Sequence, residues 1–203
     1  MNIEKSSALL VIDIQQEDFT EMNDSNASSS RWDCIRNARR VLDVFRKKGL
    51  PVIQVKECHR PDMVDFGREL DGSEGIHCIE SLPENDYAKL TYPIEGEYLI
   101  SKRRYSAFFG TDLEILLKGL HVDTLYSSCE PCFMCSGAMV WTKLGRLVYG
   151  ASNIELERIL GNAGSNCSKI VFDHSCWKPD VTSGVLREEC LAVLKDYFGR
   201  KAE

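Results

Sequence analysis

At 203 residues, with 43% hydrophobic and 28% charged residues, the chain is long enough for one α/β domain with a full core and short for two. A net charge of −6 argues against a nucleic-acid or membrane-surface partner, because both favour a basic face. No apolar run reaches transmembrane length, and Met1-Asn2-Ile3-Glu4-Lys5 lacks the basic and apolar regions of a secretory signal. The nine cysteines are odd in number, and most sit inside periodic apolar segments. Free thiols in a reducing cytoplasm are therefore expected, not a disulfide scaffold.

Residues 7–12 form a continuous apolar run, the pattern of a strand buried on both faces. Asp13 ends it. Ligands of open α/β sheets bind at the carboxyl ends of strands, which makes Asp13 a site candidate; a turn or helix-capping aspartate is the competing reading. The polar, Ser- and Asn-rich stretch 23–30 reads as a loop. Cys34, Ile35, Ala38, Val41, Leu42 and Phe45 then recur at helical spacing, and Gly49 and Pro51 stop the helix. Residues 52–55 are a second strand, with Glu57-Cys58-His59 at its end.

Residues 60–96 show no strong period, and so long an irregular segment is more often functional than filler. A third strand, 98–100, leads to Lys102. Thr111-x-x-Glu114 is a capping box opening a helix with Leu113, Leu116, Leu117 and Leu120 on one face. Residues 124–127 form a fourth strand, 136–144 a helix stopped at Gly145, 147–149 a fifth strand, 154–160 a short helix and 170–172 a sixth strand. Ser183 is expected to cap a last helix carrying Leu186, Cys190, Leu191, Leu194, Tyr197 and Phe198.

This order predicts an α/β fold: a three-layer, mostly parallel, six-stranded Rossmann-like sheet with helices on both faces. No repeat or linker divides the chain, so one domain over residues 1–203 is expected. Asp13, His59, Lys102 and the stretch 127–135 all follow strands, and parallel strand ends lie along one edge.

The stretch 127–135, Ser-Ser-Cys-Glu-Pro-Cys-Phe-Met-Cys, runs from a strand into a helix. Unpaired N–H groups and the helix dipole there favour a thiolate. An Asp, a Lys and a Cys at three strand ends suit covalent acyl transfer. The C-x2-C-x2-C spacing equally suits a metal site, for which a fourth ligand would have to come from a residue such as Cys167, Cys176 or His174.

Ala8-Leu-Leu-Val-Ile-Asp13-Ile-Gln15-Gln-Glu-Asp-Phe19, Lys102-Arg-Arg-Tyr105-Ser-Ala-Phe108-Phe-Gly-Thr-Asp-Leu113 and Leu120-His-Val-Asp-Thr-Leu-Tyr126 resemble the isochorismatase-like cysteine hydrolases. That family includes nicotinamidase, N-carbamoylsarcosine amidase and ureidoacrylate hydrolase. The resemblance runs over residues 7–126. It implies Asp13 as base, Lys102 as charge partner and Cys135 as nucleophile, with a thioester formed while a C–N bond of a small amide, carbamoyl or ureido substrate breaks. It further implies a cis peptide and oxyanion region at Glu130-Pro131, substrate-lining roles for Phe19, His59, Tyr105 and Phe108, a homo-oligomer, and no cofactor. Glu57 and His59 fall where metal-using members carry ligands, although the His59-Arg-Pro-Asp context resembles metal-free members. Pro131 stands where the family places an oxyanion N–H. Losing one such donor costs roughly 10²–10³ in rate, so impaired activity is expected.

From Thr124 a second resemblance begins. Leu125-Tyr-Ser-Ser-Cys129-Glu130-Pro131-Cys132-Phe-Met-Cys135, Leu147-Val-Tyr-Gly-Ala-Ser-Asn153 and Gly184-Val-Leu-Arg-Glu-Glu-Cys190 are similar to the P-C-x-x-C half of the cytidine/guanine/tRNA-adenosine deaminases. On that resemblance Cys132 and Cys135 would be zinc ligands. The chemistry also needs an H-x-E or C-x-E. The only candidate, Cys78-Ile79-Glu80, lies in the irregular segment. Three readings stay open: a cysteine hydrolase, a zinc-binding deaminase-like remnant, and an impaired chimera in which residues 127–203 complete a hydrolase-type sheet.

Overall fold

The structure is a computed structural model that describes residues 6–15, 30–66 and 76–198. Contacts divide the chain into two compact units, Ala8–Leu117 and Lys118–Glu203 with Met1–Ser7.

In the first unit, β1 (Leu9–Ile12), β2 (Val52–Glu57) and β3 (Tyr98–Lys102) form a parallel sheet in the order β1-β2-β3. The register pairs Leu9 with Val52 and Ile53 with Tyr98. Five of the six β2 residues are buried, Gln54 and Glu57 among them, as befits the central strand of this sheet. The β1–β2 crossover is α1 (Ser30–Lys48), which buries Ile35, Leu42 and Phe45 at helical spacing. Gly49 follows it at a φ of 62°, the left-handed geometry that glycine adopts without steric cost. Near the end of α1, Arg46 grips Glu97 at 2.7 and 3.0 Å, while Gln54 of β2 donates to the same carboxylate at 3.2 Å. The segment from β2 to β3 contains two short 3₁₀ turns, Pro83–Asn85 and Lys89–Thr91. The helix α2 (Leu113–Gly119) buries Leu113 and Leu117, and the Leu113 N–H donates to the Thr111 hydroxyl at 3.2 Å.

In the second unit, β4 (Thr124–Cys129), β5 (Arg146–Ala151) and β6 (Asp180–Thr182) are parallel, in the order β4-β5-β6. Its helices are α3 (Phe133–Thr142), α4 (Asn153–Ile159), α5 (Cys167–Asp173) and α6 (Arg187–Phe198). Met139, Leu144, Leu147 and Phe172 form one core, and Ala151, Leu191 and Leu194 another. Gly150 lies so close to the Cys190 side chain that an added Cβ would sit 2.3 Å from its sulfur. Ser152 and Glu155 close a capping box at the start of α4.

The α/β architecture of six parallel strands alternating with helices is as the sequence predicts. The strands, however, hydrogen-bond as two ladders of three where one of six was expected. Apolar runs report that a strand is buried, not which strand it pairs with. The predicted sixth strand at 170–172 is also corrected: these residues lie in α5. Cys167, Ser168 and Phe172 are buried while Lys169, Ile170 and Asp173 face solvent, a helical alternation that a three-residue apolar window does not reveal. The sixth strand is instead β6, which follows Pro179 and is too short and polar to read as a buried strand. The α3 helix begins at Phe133, three residues earlier than expected, with Cys132 as its N-cap. Among the described residues no helix is long and apolar enough to cross a membrane.

Candidate active site

The first unit gathers charge at the carboxyl ends of its strands. Asp13 follows β1 with a φ of 56°, a left-handed conformation that aspartate tolerates better than most residues. Its N–H donates to Val55 O at 2.9 Å, and its carboxylate meets the Lys102 ammonium at 2.9 Å. Lys102, the last residue of β3, is 1% exposed. Its second partner is the Glu57 carboxylate at the end of β2, 3.1 Å away. Burial pushes the Lys102 pKa down, but Asp13 and Glu57 more than offset it, and the ammonium is held above its ordinary range. Glu57 mirrors this: burial pushes its pKa up, while Lys102, then His59 and His77, bring it below the ordinary carboxylate range.

The other Glu57 oxygen faces two imidazoles, with His59 Nε2 at 3.1 Å and His77 Nε2 at 3.7 Å. His59 is fully buried and stacks edge-on against Phe66 and His77. Its Nδ1 has no hydrogen-bond partner, and Asp65 Oδ1 stands 3.7 Å from it. Asp65 is itself held by Arg60 at 2.8 Å and by Arg103 at 3.5 Å. A polar clamp fixes the backbone beneath. The Gln15 amide both donates to Glu57 O (3.0 Å) and accepts from Glu57 N (2.8 Å), and it donates to Asn85 Oδ1 at 2.7 Å.

One ligand atom from each of Glu57, His59 and His77 lies within 4.8 Å of the others. The donor set fits a divalent cation, with Asp65 placed beside the far ring nitrogen of His59 as an outer partner. His77 was not singled out in the sequence. It lies in the irregular segment 60–96, where no period marks it. Tyr105 is 48% exposed and Phe108 half-buried in the turns after β3. Phe19, expected to line the substrate, lies outside the described residues.

The second unit builds a different centre at the end of β4. The Glu130 carboxylate is buried and meets three donors, Ser168 N at 3.0 Å, Ser168 Oγ at 2.6 Å and Asn153 N at 3.0 Å, while a fourth hydrogen bond, from its own N–H to Ala151 O at 2.8 Å, holds the backbone. Three of these four contacts are therefore made by the carboxylate itself, two of them with N–H groups in the first turns of α4 and α5. The cis bond expected at Glu130-Pro131 is corrected, since no cis peptide occurs among the described residues. A trans X–Pro bond is the lower-energy isomer, and here it accompanies a carboxylate already satisfied by its own network. Pro131 O accepts from Ser136 Oγ at 3.2 Å.

Cys132 is exposed and Cys135 half-buried. The neighbouring Cys135 side chain is the main influence lowering the Cys132 pKa. Burial opposes the charge, but the N–H groups of Cys135 and Met134 add to the stabilisation, and the Cys132 pKa falls from 9.0 to about 5. Among the described residues no third His, Cys, Asp or Glu ligand atom joins them.

Residues 7–128 match the isochorismatase domain family. Among solved structures, an isochorismatase family protein from Desulfovibrio vulgaris is similar at 25% identity and a TM-score of 0.55, over 80% of this chain and 95% of that one. N-carbamoylsarcosine amidase from Thermoplasma acidophilum (22% identity, TM-score 0.53, 87% and 95% covered) and nicotinamidase from Bacillus subtilis (19%, 0.52, 95% and 96%) share the fold. The C-terminal part is similar to a different group. A tRNA-specific adenosine deaminase of Haemophilus influenzae is 39% identical over 80 residues, 39% of this chain and 44% of that protein. A tRNA(Ile)-lysidine synthase of Deinococcus radiodurans is 37% identical over 76 residues, 37% of this chain and 12% of that protein. The chain thus spans less than half the length of these two relatives. The isochorismatase match covers more than half of the chain, which therefore belongs to the isochorismatase family of hydrolases.

Proposed function

We propose that the protein is a cysteine hydrolase that cleaves a C–N bond of a small amide, carbamoyl or ureido compound. The observation that supports this is the ion pair, 2.9 Å long, between Asp13 and the buried Lys102, at residues matching two motifs of the family. In this reading Cys135 attacks the carbonyl carbon as a thiolate and Asp13 takes its proton. The C–N bond then breaks as that proton passes to the leaving amine, and water cleaves the thioester. Lys102 orients the Asp13 carboxylate through their 2.9 Å contact. With no N–H at Pro131, stabilisation of the tetrahedral oxyanion is poor and turnover slow.

Ammonia release from a panel of primary amides, carbamoyl and ureido compounds tests this. Asp13→Asn and Cys135→Ser should each lower kcat by roughly 10³ or more, while Cys132→Ser retains activity. Loss of activity in Cys132→Ser with retention in Cys135→Ser would move the nucleophile to Cys132. No turnover anywhere in the panel would leave the impaired-chimera reading.

Glu57, His59 and His77 are the residues that would hold a metal ion, which would supply Lewis-acid polarisation of a substrate oxygen. Titration of the chelated protein with Zn²⁺ or Mn²⁺, read by calorimetry, should show one site that His77→Ala removes. The zinc-remnant reading predicts instead a site lost in Cys132→Ser.

A further inference from the structure

We propose that Glu57 is a shared carboxylate that couples the Glu57–His59–His77 cation site to the Asp13–Lys102 pair, with the Lys102 ammonium and a divalent cation competing for it. This rests on the reading of those three residues as a cation site. The geometry carries the coupling. Glu57 Oε2 meets Lys102 Nζ at 3.1 Å, while Oε1 faces His59 Nε2 at 3.1 Å and His77 Nε2 at 3.7 Å. One side chain therefore belongs to two charge clusters and gives one oxygen to each. Lys102 in turn spans Glu57 and Asp13, the latter at 2.9 Å. The far nitrogen of His59, Nδ1, is buried without a hydrogen-bond partner, 3.7 Å from Asp65 Oδ1. An imidazole that serves a cation through Nε2 is commonly oriented by such an outer carboxylate.

Neither member of the Glu57–Lys102 contact can retreat to water. Lys102 is 1% exposed and Glu57 8%. The Glu57 backbone is fixed by the Gln15 amide, which accepts from its N–H at 2.8 Å and donates to its carbonyl at 3.0 Å. Charges held this deep are weakly screened. The other cations nearby are engaged elsewhere. Lys56 Nζ donates to Asn85 O at 3.4 Å and lies over the Tyr87 ring. Arg60 and Arg103 reach Asp65 at 2.8 and 3.5 Å.

A cation held by Glu57 Oε1 shares its ligand with an ammonium already on Oε2, and the two positive charges repel. Lys102 therefore lowers the affinity of the site. By reciprocity, an occupied site weakens the Glu57–Lys102 contact by the same free energy. Lys102 then leans on Asp13 alone. Where Asp13 and Lys102 serve hydrolysis, occupancy of the site adjusts that pair through Glu57.

The test measures Zn²⁺ affinity by calorimetry on the full chain after chelation, counting only binding that His77→Ala abolishes. Cooperative urea unfolding confirms that each variant is folded. Lys102→Met should bind Zn²⁺ roughly tenfold or more tightly than the wild type. Damage to the fold would weaken the site, so a gain separates coupling from a structural role. Asp13→Asn leaves Lys102 to Glu57 alone and should weaken binding roughly fivefold. It supplies the reading where Lys102→Met does not fold. Lys56→Met, which removes a lysine of the same strand held by Asn85 and Tyr87, should change the affinity far less. Unchanged or weaker binding in a folded Lys102→Met, with the wild-type site intact, would overturn the coupling and leave the cation site standing. An equal gain in Lys56→Met would overturn it as well, since the effect would then be one of net charge. Absence of a His77-dependent site in both the wild type and Lys102→Met would overturn the cation site and the coupling together.

Discussion

The strand ends of the two units hold anions by opposite means. In Ala8–Leu117 the Asp13 and Glu57 carboxylates share a buried cation, Lys102, and a third carboxylate, Glu97 just before β3, is gripped by Arg46. In Lys118–Glu203 Glu130 is as deeply buried as any of these, yet the charged oxygens rest on the N–H groups of Asn153 and Ser168 and one hydroxyl. Cys132, the N-cap of α3, has no cationic partner either, and its pKa is lowered by Cys135 and by N–H groups of the helix start. A counter-ion and a helix start both solvate an anion inside a protein, but they fail differently. Removing a counter-ion leaves a bare charge, whereas N–H groups remain when the anion is changed.

The largest expected effect follows from that difference. Lys102→Met removes the cation between two carboxylates and should destabilise the protein by about 3–5 kcal/mol in urea unfolding. Adding Glu57→Gln to Lys102→Met should restore part of the loss. The sign with pH is set by the raised Lys102 pKa. Its contribution is complete below the ordinary value of 10.5 and is lost as pH rises through the raised one. A neutral Lys102→Met would show that the two units do not differ as described.

A smaller cost is expected at Glu130. Glu130→Gln keeps one acceptor but turns an amide N–H₂ toward N–H donors, leaving a buried donor unpaired, at about 1–3 kcal/mol. If the same variant costs as much as Lys102→Met, the N–H cradle is no gentler than a counter-ion.

Glu97 gives the comparison a pH signature. Burial raises its pKa, but Arg46, Gln54 and the Ile94 N–H lower it further, so the folded value lies below the ordinary 4.5. Its stabilisation is present above 4.5 and is lost as pH falls through the lowered value. Glu97→Gln should cost about 1–2 kcal/mol at neutral pH and flatten the acid limb of a stability curve.

The smallest effect on stability belongs to Cys132. Its exposed position makes Cys132→Ser worth about 0.5 kcal/mol or less. Its reactivity is the sharper measure: alkylation at Cys132 should rise through a midpoint of about 5, against 9.0 for an ordinary thiol. A midpoint near 9.0 would mean that the helix start does not hold a thiolate.

Much of the site was legible because it sits at the ends of periodic segments. Asp13 and Lys102 close apolar strands, and their motifs carried the family with them. The stretch 127–135 stood out by its cysteines. His77, Asp65 and Asn85 were invisible for the opposite reason, since they lie in a segment whose conformation follows from turns and long-range hydrogen bonds. The exchange of 170–172 for 180–182 as the sixth strand has a similar cause. A three-residue window carries too few side chains to tell a period of 2 from one of 3.6.

The sequence by itself determined the alternation of strands and helices, the family, and which residues end the strands, because side-chain periodicity and local motifs are properties of neighbouring residues. Tertiary structure alone decided which strands pair, that Glu57 joins Lys102 to His59 and His77, and that the buried Glu130 carboxylate rests on the N–H groups of Asn153 and Ser168. Those outcomes depend on burial and on donors brought from distant positions, and a buried charge takes its state from what surrounds it in space.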